Sequence, residues 1–210
     1  MKTKVTVNDF TNYQLGILFA CGSITNEKNN KILVIRHKNK YFLEQLQNLF
    51  DNKIGYRQTQ DKNYYILKTK AFDFDSLENI NHKSRNAKLR YLPILDNYKD
   101  FLRAYIELHA CWDYCVNYTK RKEKYYRLRL RIYGNFNLIS EINQVLNQEA
   151  SVKIKSIQSV KHNDTTSYIA YTSVSELYSI RKYLEDEPCN QPYWNDVDYK
   201  LKNPRKEVLK

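Results

Sequence analysis

Glycine and proline are scarce, four of each in 210 residues. That excludes a low-complexity or linker-rich chain and points to dense regular structure with short loops. No Gly, Ser or Pro run divides the sequence, so it is read as one large domain or two of about 100 residues, either able to fold without staples. No apolar stretch approaches the ~20 residues of a membrane span, which excludes a membrane partner. The four cysteines, Cys21, Cys111, Cys115 and Cys189, are unevenly spaced behind a polar start without a signal-peptide pattern. They read as reduced thiols of a cytoplasmic protein and not as a disulfide framework. His109, Cys111 and Cys115 lack the further pair that would complete a tetrahedral site, so no metal and no cofactor is expected.

What the sequence does have is positive charge, 35 Lys and Arg against 23 Asp and Glu for a net +12. The excess is not a tail: residues 1–95 hold 16 basic and 8 acidic side chains, residues 96–210 hold 19 and 15. A basic excess in both halves fits a polyanionic partner, with nucleic acid the commonest for such a protein.

The halves resemble each other. Residues 13–24 read YQLGILFACGSI and residues 101–112 read FLRAYIELHACW, each an aromatic followed by an apolar helical stretch with a small residue fourth. The same order of elements follows both. In the first half a helix over Thr11–Ala20 leads to strands at Gly22–Glu27 and Lys31–His37. A helix at 41–50 carries Phe42, Leu43, Leu46, Leu49 and Phe50 at helical spacing. Strands at Ile54–Gln60 and Asn63–Lys70 then flank a turn at Asp61 and Lys62, and a short helix over Asp73–Ile80 is capped by Asp73. In the second half the series is a helix from Asp100 to Cys111, strands at Tyr114–Tyr118 and Tyr125–Tyr133, a helix at Asn137–Asn147, strands at Ser151–Val160 and Thr165–Tyr171, and a helix over Ser173–Leu184. The division expected is a first repeat over 1–80, a basic connector over 81–95, a second repeat over 96–185 and a polar C-terminal tail over 186–210.

A duplicated αββαββα unit, each copy opening on a small-residue apolar helix, resembles the single-chain LAGLIDADG homing endonucleases over roughly residues 11–185. The resemblance implies an α+β fold in which two antiparallel sheets form a saddle around a pseudo-twofold helix pair. It places Gly16, Ala20, Ala104 and Leu108 where the two helices meet, since residues four apart share a helical face.

The same resemblance puts Cys21 and His109 at the motif positions where active members carry the metal-binding acids. Thiolate and imidazole are poor ligands for Mg²⁺, which takes hard oxygen donors. Glu107 falls at a motif position that is not the family's metal ligand, and Asp113 lies four residues beyond His109. The expectation is therefore no catalytic residues, no enzyme, and Cys21 and His109 as parts of the helix interface.

The sharpest local pattern is YYRLRLRIY, residues 125–133. Arg127, Arg129 and Arg131 alternate with Leu128, Leu130 and Ile132, which sets three guanidinium groups on one strand face above an apolar one. With no acid expected on that face, a polyanion is needed to oppose them. Val152, Ile154 and Ile157 are read as pointing inward, leaving Lys153 and Lys155 beside the arginines. In the first half Arg57 and Thr59 occupy the corresponding strand, with Leu33 and Ile35 where the arginines would be. Lys83, Arg85, Lys88 and Arg90 in the connector add candidate backbone contacts.

The leading reading is a monomeric, non-catalytic DNA-binding regulator or phage or mobile-element factor, its partner nucleic acid with double-stranded DNA favoured over structured RNA. An intron RNA maturase, an inhibitor of a host protein or nucleoprotein, and an active homing endonuclease are the alternatives.

Overall fold

The computed structural model describes residues 4–28, 30–50, 53–58, 63–80, 82, 90–119, 121–161 and 163–207. It divides into two compact units, Met1–Leu108 and His109–Lys210. The division falls at the end of the second motif helix, which packs with the first unit although it opens the second repeat.

In the first unit a single 3₁₀ turn, Val7–Asp9, precedes α1, Asn12–Cys21. Thr11 caps α1 by accepting from the Gln14 amide, and Gln14 reaches back to the Thr11 amide. This reciprocal cap fixes the helix start. Every residue from Leu15 to Cys21 is buried, so the helix is apolar on all sides and lies inside its unit. Strands β1 (Gly22–Glu27) and β2 (Asn30–His37) follow, then α2 (Tyr41–Phe50), β3 (Gly55–Gln58), β4 (Asn63–Thr69), the short α3 (Ser76–Asn79) and α4 (Lys99–His109). The third helix begins at Ser76 because Asp73 forms a turn, its carboxylate accepting from the Asp75 amide and its carbonyl from Ser76 Oγ. The antiparallel sheet runs β1-β2-β4-β3.

The second unit builds β5 (Ala110–Tyr118), β6 (Lys124–Gly134), α5 (Phe136–Glu149), β7 (Gln158–Val160), β8 (Asn163–Tyr171), α6 (Val174–Tyr183), α7 (Gln191–Lys202) and β9 (Arg205–Glu207). Its sheet has the order β5-β6-β8-β7, the same as the first, with β9 added beside β6. The registers also repeat. Gly22 opposes Ile35 and Leu33 opposes Thr69 in the first sheet; Ala110 opposes Ile132 and Leu130 opposes Tyr171 in the second. Each copy therefore pairs its strands at the same offsets from its motif helix, which is stronger evidence of duplication than the weak sequence match.

Two expectations are corrected. Residues 151–157 are not a strand; β7 keeps only Gln158–Val160, because Asn143 of α5 holds the Lys155 backbone through both its amide and its carbonyl. The segment 186–210 is not a polar tail. α7 buries Trp194, Val197 and Leu201, Arg181 of α6 lies 4.8 Å over the Trp194 ring and pairs with Asp198, and Lys200 donates to the Trp112 carbonyl. The apolar residues recur at i, i+3 and i+7, a helical stripe diluted by Asn and Asp until its period is hard to see.

Candidate nucleic-acid interface

The helix pair α1 and α4 is built around Gly16. A Cβ at Gly16 would overlap the Phe101 carbonyl oxygen and approach the Ala104 Cβ to 2.8 Å, so only glycine lets the two backbones come this close. Contacts on either side of the crossing are exchanged between the repeats. Tyr13 donates to Glu107 at 2.5 Å, and the counterparts of these two residues, Phe101 and Phe19, meet edge to face at 5.2 Å. Ala20 is fully buried and Leu108 half-buried.

Glu107 is thus engaged across the pair. Burial first, and then the neighbouring Glu107 carboxylate, push the Tyr13 hydroxyl far above its ordinary range, so it stays a donor at every working pH. Tyr13→Phe is expected to lower unfolding free energy in urea by about 1–3 kcal/mol, the cost of stripping a hydrogen bond from a buried acceptor. A loss under a few tenths would show that Tyr13 does not hold Glu107.

At the helix ends, Cys21 is buried and His109 half-buried. Among the described residues no cluster of three or more His, Cys, Asp or Glu side chains is placed to hold a metal. A thiol and an imidazole do not fit a hard divalent ion. Arg90, expected in a solvated connector, is buried instead: it donates to the Phe19 carbonyl at 2.8 Å and to His82 at 2.7 Å. A cation at the last turn of α1 satisfies a carbonyl that the helix leaves open. Lys83, Arg85 and Lys88 lie outside the described residues.

The arginine strand is β6, and its alternation is as read: Leu128, Leu130 and Ile132 are fully buried, while Arg127, Arg129 and Arg131 are half-buried on the other face. That face is not free of acid. Asp113 of β5 lies directly opposite Arg129, taking Nε at 3.0 Å and Nη2 at 2.8 Å, and it also accepts from Arg131 Nη2. Cross-strand pairing, which links residues 16 and 18 positions apart, hid this acid from a reading of one strand.

Desolvation works to raise the Asp113 pKa, but the hydrogen bonds and charges of Arg129 and Arg131 prevail and hold it below the ordinary carboxylate value. Its stabilising contribution is therefore complete above pH 4 or so and lost only as pH falls through the lowered folded value. At neutral pH the trio carries a net charge of +1.

Arg127 has no ion pair among the described residues. Beside it lies Arg205, opposite in register on β9, exposed and 5.5 Å over the Tyr125 ring. Sequence reading missed Arg205 because the strand that seats it is only three residues long; Pro204 just before it, whose carbonyl accepts from the Leu128 amide at 2.8 Å, was the available sign of an edge strand. Among the described side chains, four arginines and one acid thus share this face.

The lysines do not join them. Lys155 is clamped to Glu176 of α6 at 2.7 Å, and Lys153 is exposed on an irregular segment. Ile154, expected inward, is 61 % exposed.

In the first unit the repeated register corrects the earlier alignment. Ile32 and Val34 occupy the places of Arg129 and Arg131, whereas Leu33 and Ile35 match the core residues Leu130 and Ile132. Ile32 and Val34 make a small apolar cluster with Ile66 and Tyr64, Arg36 lying 5.9 Å over Tyr64. Arg57 is exposed on β3; Thr59 is outside the described residues.

No family model and no curated protein matches the sequence. Solved structures do match the fold. I-LtrWI, a LAGLIDADG homing endonuclease bound to target DNA, aligns at a TM-score of 0.59 and 12 % identity over 91 % of this chain and 89 % of its own. The meganuclease I-SmaMI bound to uncleaveable DNA aligns at 0.60 and 9 % over 90 % and 87 %, and the LAGLIDADG homing endonuclease I-GzeII in complex with its DNA target at 0.55 and 11 % over 92 % and 90 %. The chain has the LAGLIDADG homing-endonuclease fold. This corrects the expectation that it is no enzyme: the fold it shares across nine-tenths of its length is that of nucleases, and two replaced motif positions are too narrow a basis for reading activity out of it.

Among the described residues no helix is long and apolar enough to cross a membrane.

Proposed function

We propose that this chain binds double-stranded DNA sequence-specifically, laying the outer face of the second sheet in the major groove. One observation carries the reading: Arg127, Arg129, Arg131 and Arg205 stand on a single sheet face against one acid among the described side chains, Asp113. Four guanidinium groups there repel one another unless an anion array faces them. The spacing suits a duplex, since alternate side chains on a strand lie about 6.6 Å apart, close to two base-pair steps of ~3.4 Å. A major groove admits a two-stranded β-ribbon, and arginine is the side chain that most often reads guanine there. DNA in the solved neighbours supports duplex over RNA.

The test is retention of a randomised duplex library followed by sequencing, with affinity measured against salt. Enriched sites and a log–log salt slope of about −3 to −4 are expected if three to four cations meet phosphates. A chain that retains structured RNA and no duplex overturns the reading. Strand cleavage is a second reading, favoured by the homing endonucleases among the solved neighbours. Mg²⁺ or Mn²⁺ added to the enriched duplex reads it directly through a cut at one fixed position.

A further inference from the structure

The four arginines are not equivalent, and the difference assigns them different work. Arg127 and Arg205 lie opposite each other in register, with no acid paired to either among the described side chains. Arg129 is held on one edge, its Nε and Nη2 spent on the two oxygens of Asp113. A guanidinium has five N–H donors in a planar fork, and occupying the Nε–Nη2 edge leaves the end-on edge, one hydrogen on each Nη, free in the same plane. That edge matches the O6 and N7 acceptors of guanine.

We propose that Asp113 and Arg129 form a guanine-reading couple, Asp113 acting as the positioning residue, while Arg127 and Arg205 bind phosphates without regard to sequence. The inference rests on the DNA-binding reading and says which base pair type the site selects.

Three physical points separate these roles. Clamping by Asp113 removes the rotamer freedom that an arginine on an open face would otherwise lose on binding, so the contact is pre-organised. The carboxylate also cancels charge locally, which makes this end of the row a poor phosphate site and a directional donor instead. Arg131 donates to the same Asp113 oxygen and lies 5.5 Å over the Tyr133 ring, so it helps to hold the carboxylate that clamps Arg129. Arg127 and Arg205, with the Tyr125 ring beside Arg205 and no acid paired to either among the described side chains, keep their charge and freedom to follow a backbone.

The experiment is selection from a duplex library with a randomised core, using the full chain, Asp113→Asn, Arg129→Lys, and Arg127→Ala with Arg205→Ala, each checked for folding by circular dichroism. The parent chain is expected to enrich a G·C pair at one fixed position. Asp113→Asn and Arg129→Lys are both expected to relax that position by about tenfold and leave the others unchanged. Asp113→Asn removes a negative charge, so its affinity for random duplex should hold or rise; a fold defect would lower both together. The Arg127→Ala, Arg205→Ala chain should keep the preference and lose about two from the salt slope.

Retention of the guanine preference in Asp113→Asn overturns the couple, as does a parent chain that binds duplex with no guanine position sensitive to Arg129→Lys. A parent chain that retains no duplex at all overturns instead the DNA reading beneath it.

Discussion

A chain with Arg127, Arg129, Arg131 and Arg205 all replaced by alanine is expected to bind its selected duplex at least a hundredfold more weakly than the parent at moderate salt, an order-of-magnitude figure from about 1–3 kcal/mol per lost base contact and the loss of salt-dependent phosphate contacts. Global charge does not explain such a loss, because the net charge falls only from +12 to +8 with four arginines removed. Fold failure does not explain it either. Leu128, Leu130 and Ile132, which hold β6 to its core, are untouched, and the partly exposed pairs to Asp113 contribute no more than about 1 kcal/mol of stability each.

One confounder is built into the site: removing Arg129 and Arg131 strips Asp113 of both described cations and leaves a bare carboxylate facing the DNA. The same chain with Asp113→Asn added separates repulsion by that acid from loss of the arginines. Recovery of more than half the lost binding energy by Asp113→Asn would assign the effect to the acid. A quadruple variant that binds like the parent would move the interface off this sheet.

How much of this was legible in the sequence depends on the range of the interaction. Strand β6 announces itself, since strict alternation from Tyr125 to Tyr133 is a local period of two, and α1 and α2 do so through Thr11 and the run from Phe42 to Phe50. Asp113 beside Arg129 is not local: it depends on a register that only the folded hairpin sets. Arg90 reads as one more basic loop residue until the end of α1 is placed beside it. The alignment of Leu33 and Ile35 with the arginines missed by one residue, and in a strand a one-residue slip exchanges the faces. Both candidates are apolar and both are buried, so periodicity in β2 held no sign of which face was outer. Glu107 was placed by motif position alone, and its contact with Tyr13 needed the crossing of two helices. The C-terminal Trp194 was passed over because its helix is short of apolar residues, although a tryptophan in a polar segment is itself a sign of packing.

Gly16→Val is expected to lower the unfolding free energy by about 3 kcal/mol or more, at the upper end of what overpacking a close contact costs. Intrinsic propensity argues the other way: glycine inside a helix is worse than alanine by about 1 kcal/mol, so a solvent-facing Gly16 would tolerate replacement or gain from it. The two arguments give opposite signs, and Gly16→Ala in a urea titration decides between them. Contact wins on magnitude, because the Cβ position at Gly16 is already occupied in part by the Phe101 carbonyl oxygen, with the Ala104 Cβ 2.8 Å away. The rescue pattern carries further information. Ala104→Gly added to Gly16→Ala removes the side-chain half of the clash and leaves the carbonyl half, since no substitution deletes a backbone oxygen. Rescue should therefore be partial, and the two changes non-additive, as expected of residues in direct contact. Stabilisation by Gly16→Ala alone would mean that α1 and α4 do not approach each other at this point, and the shared helix crossing on which the fold rests would be lost with it.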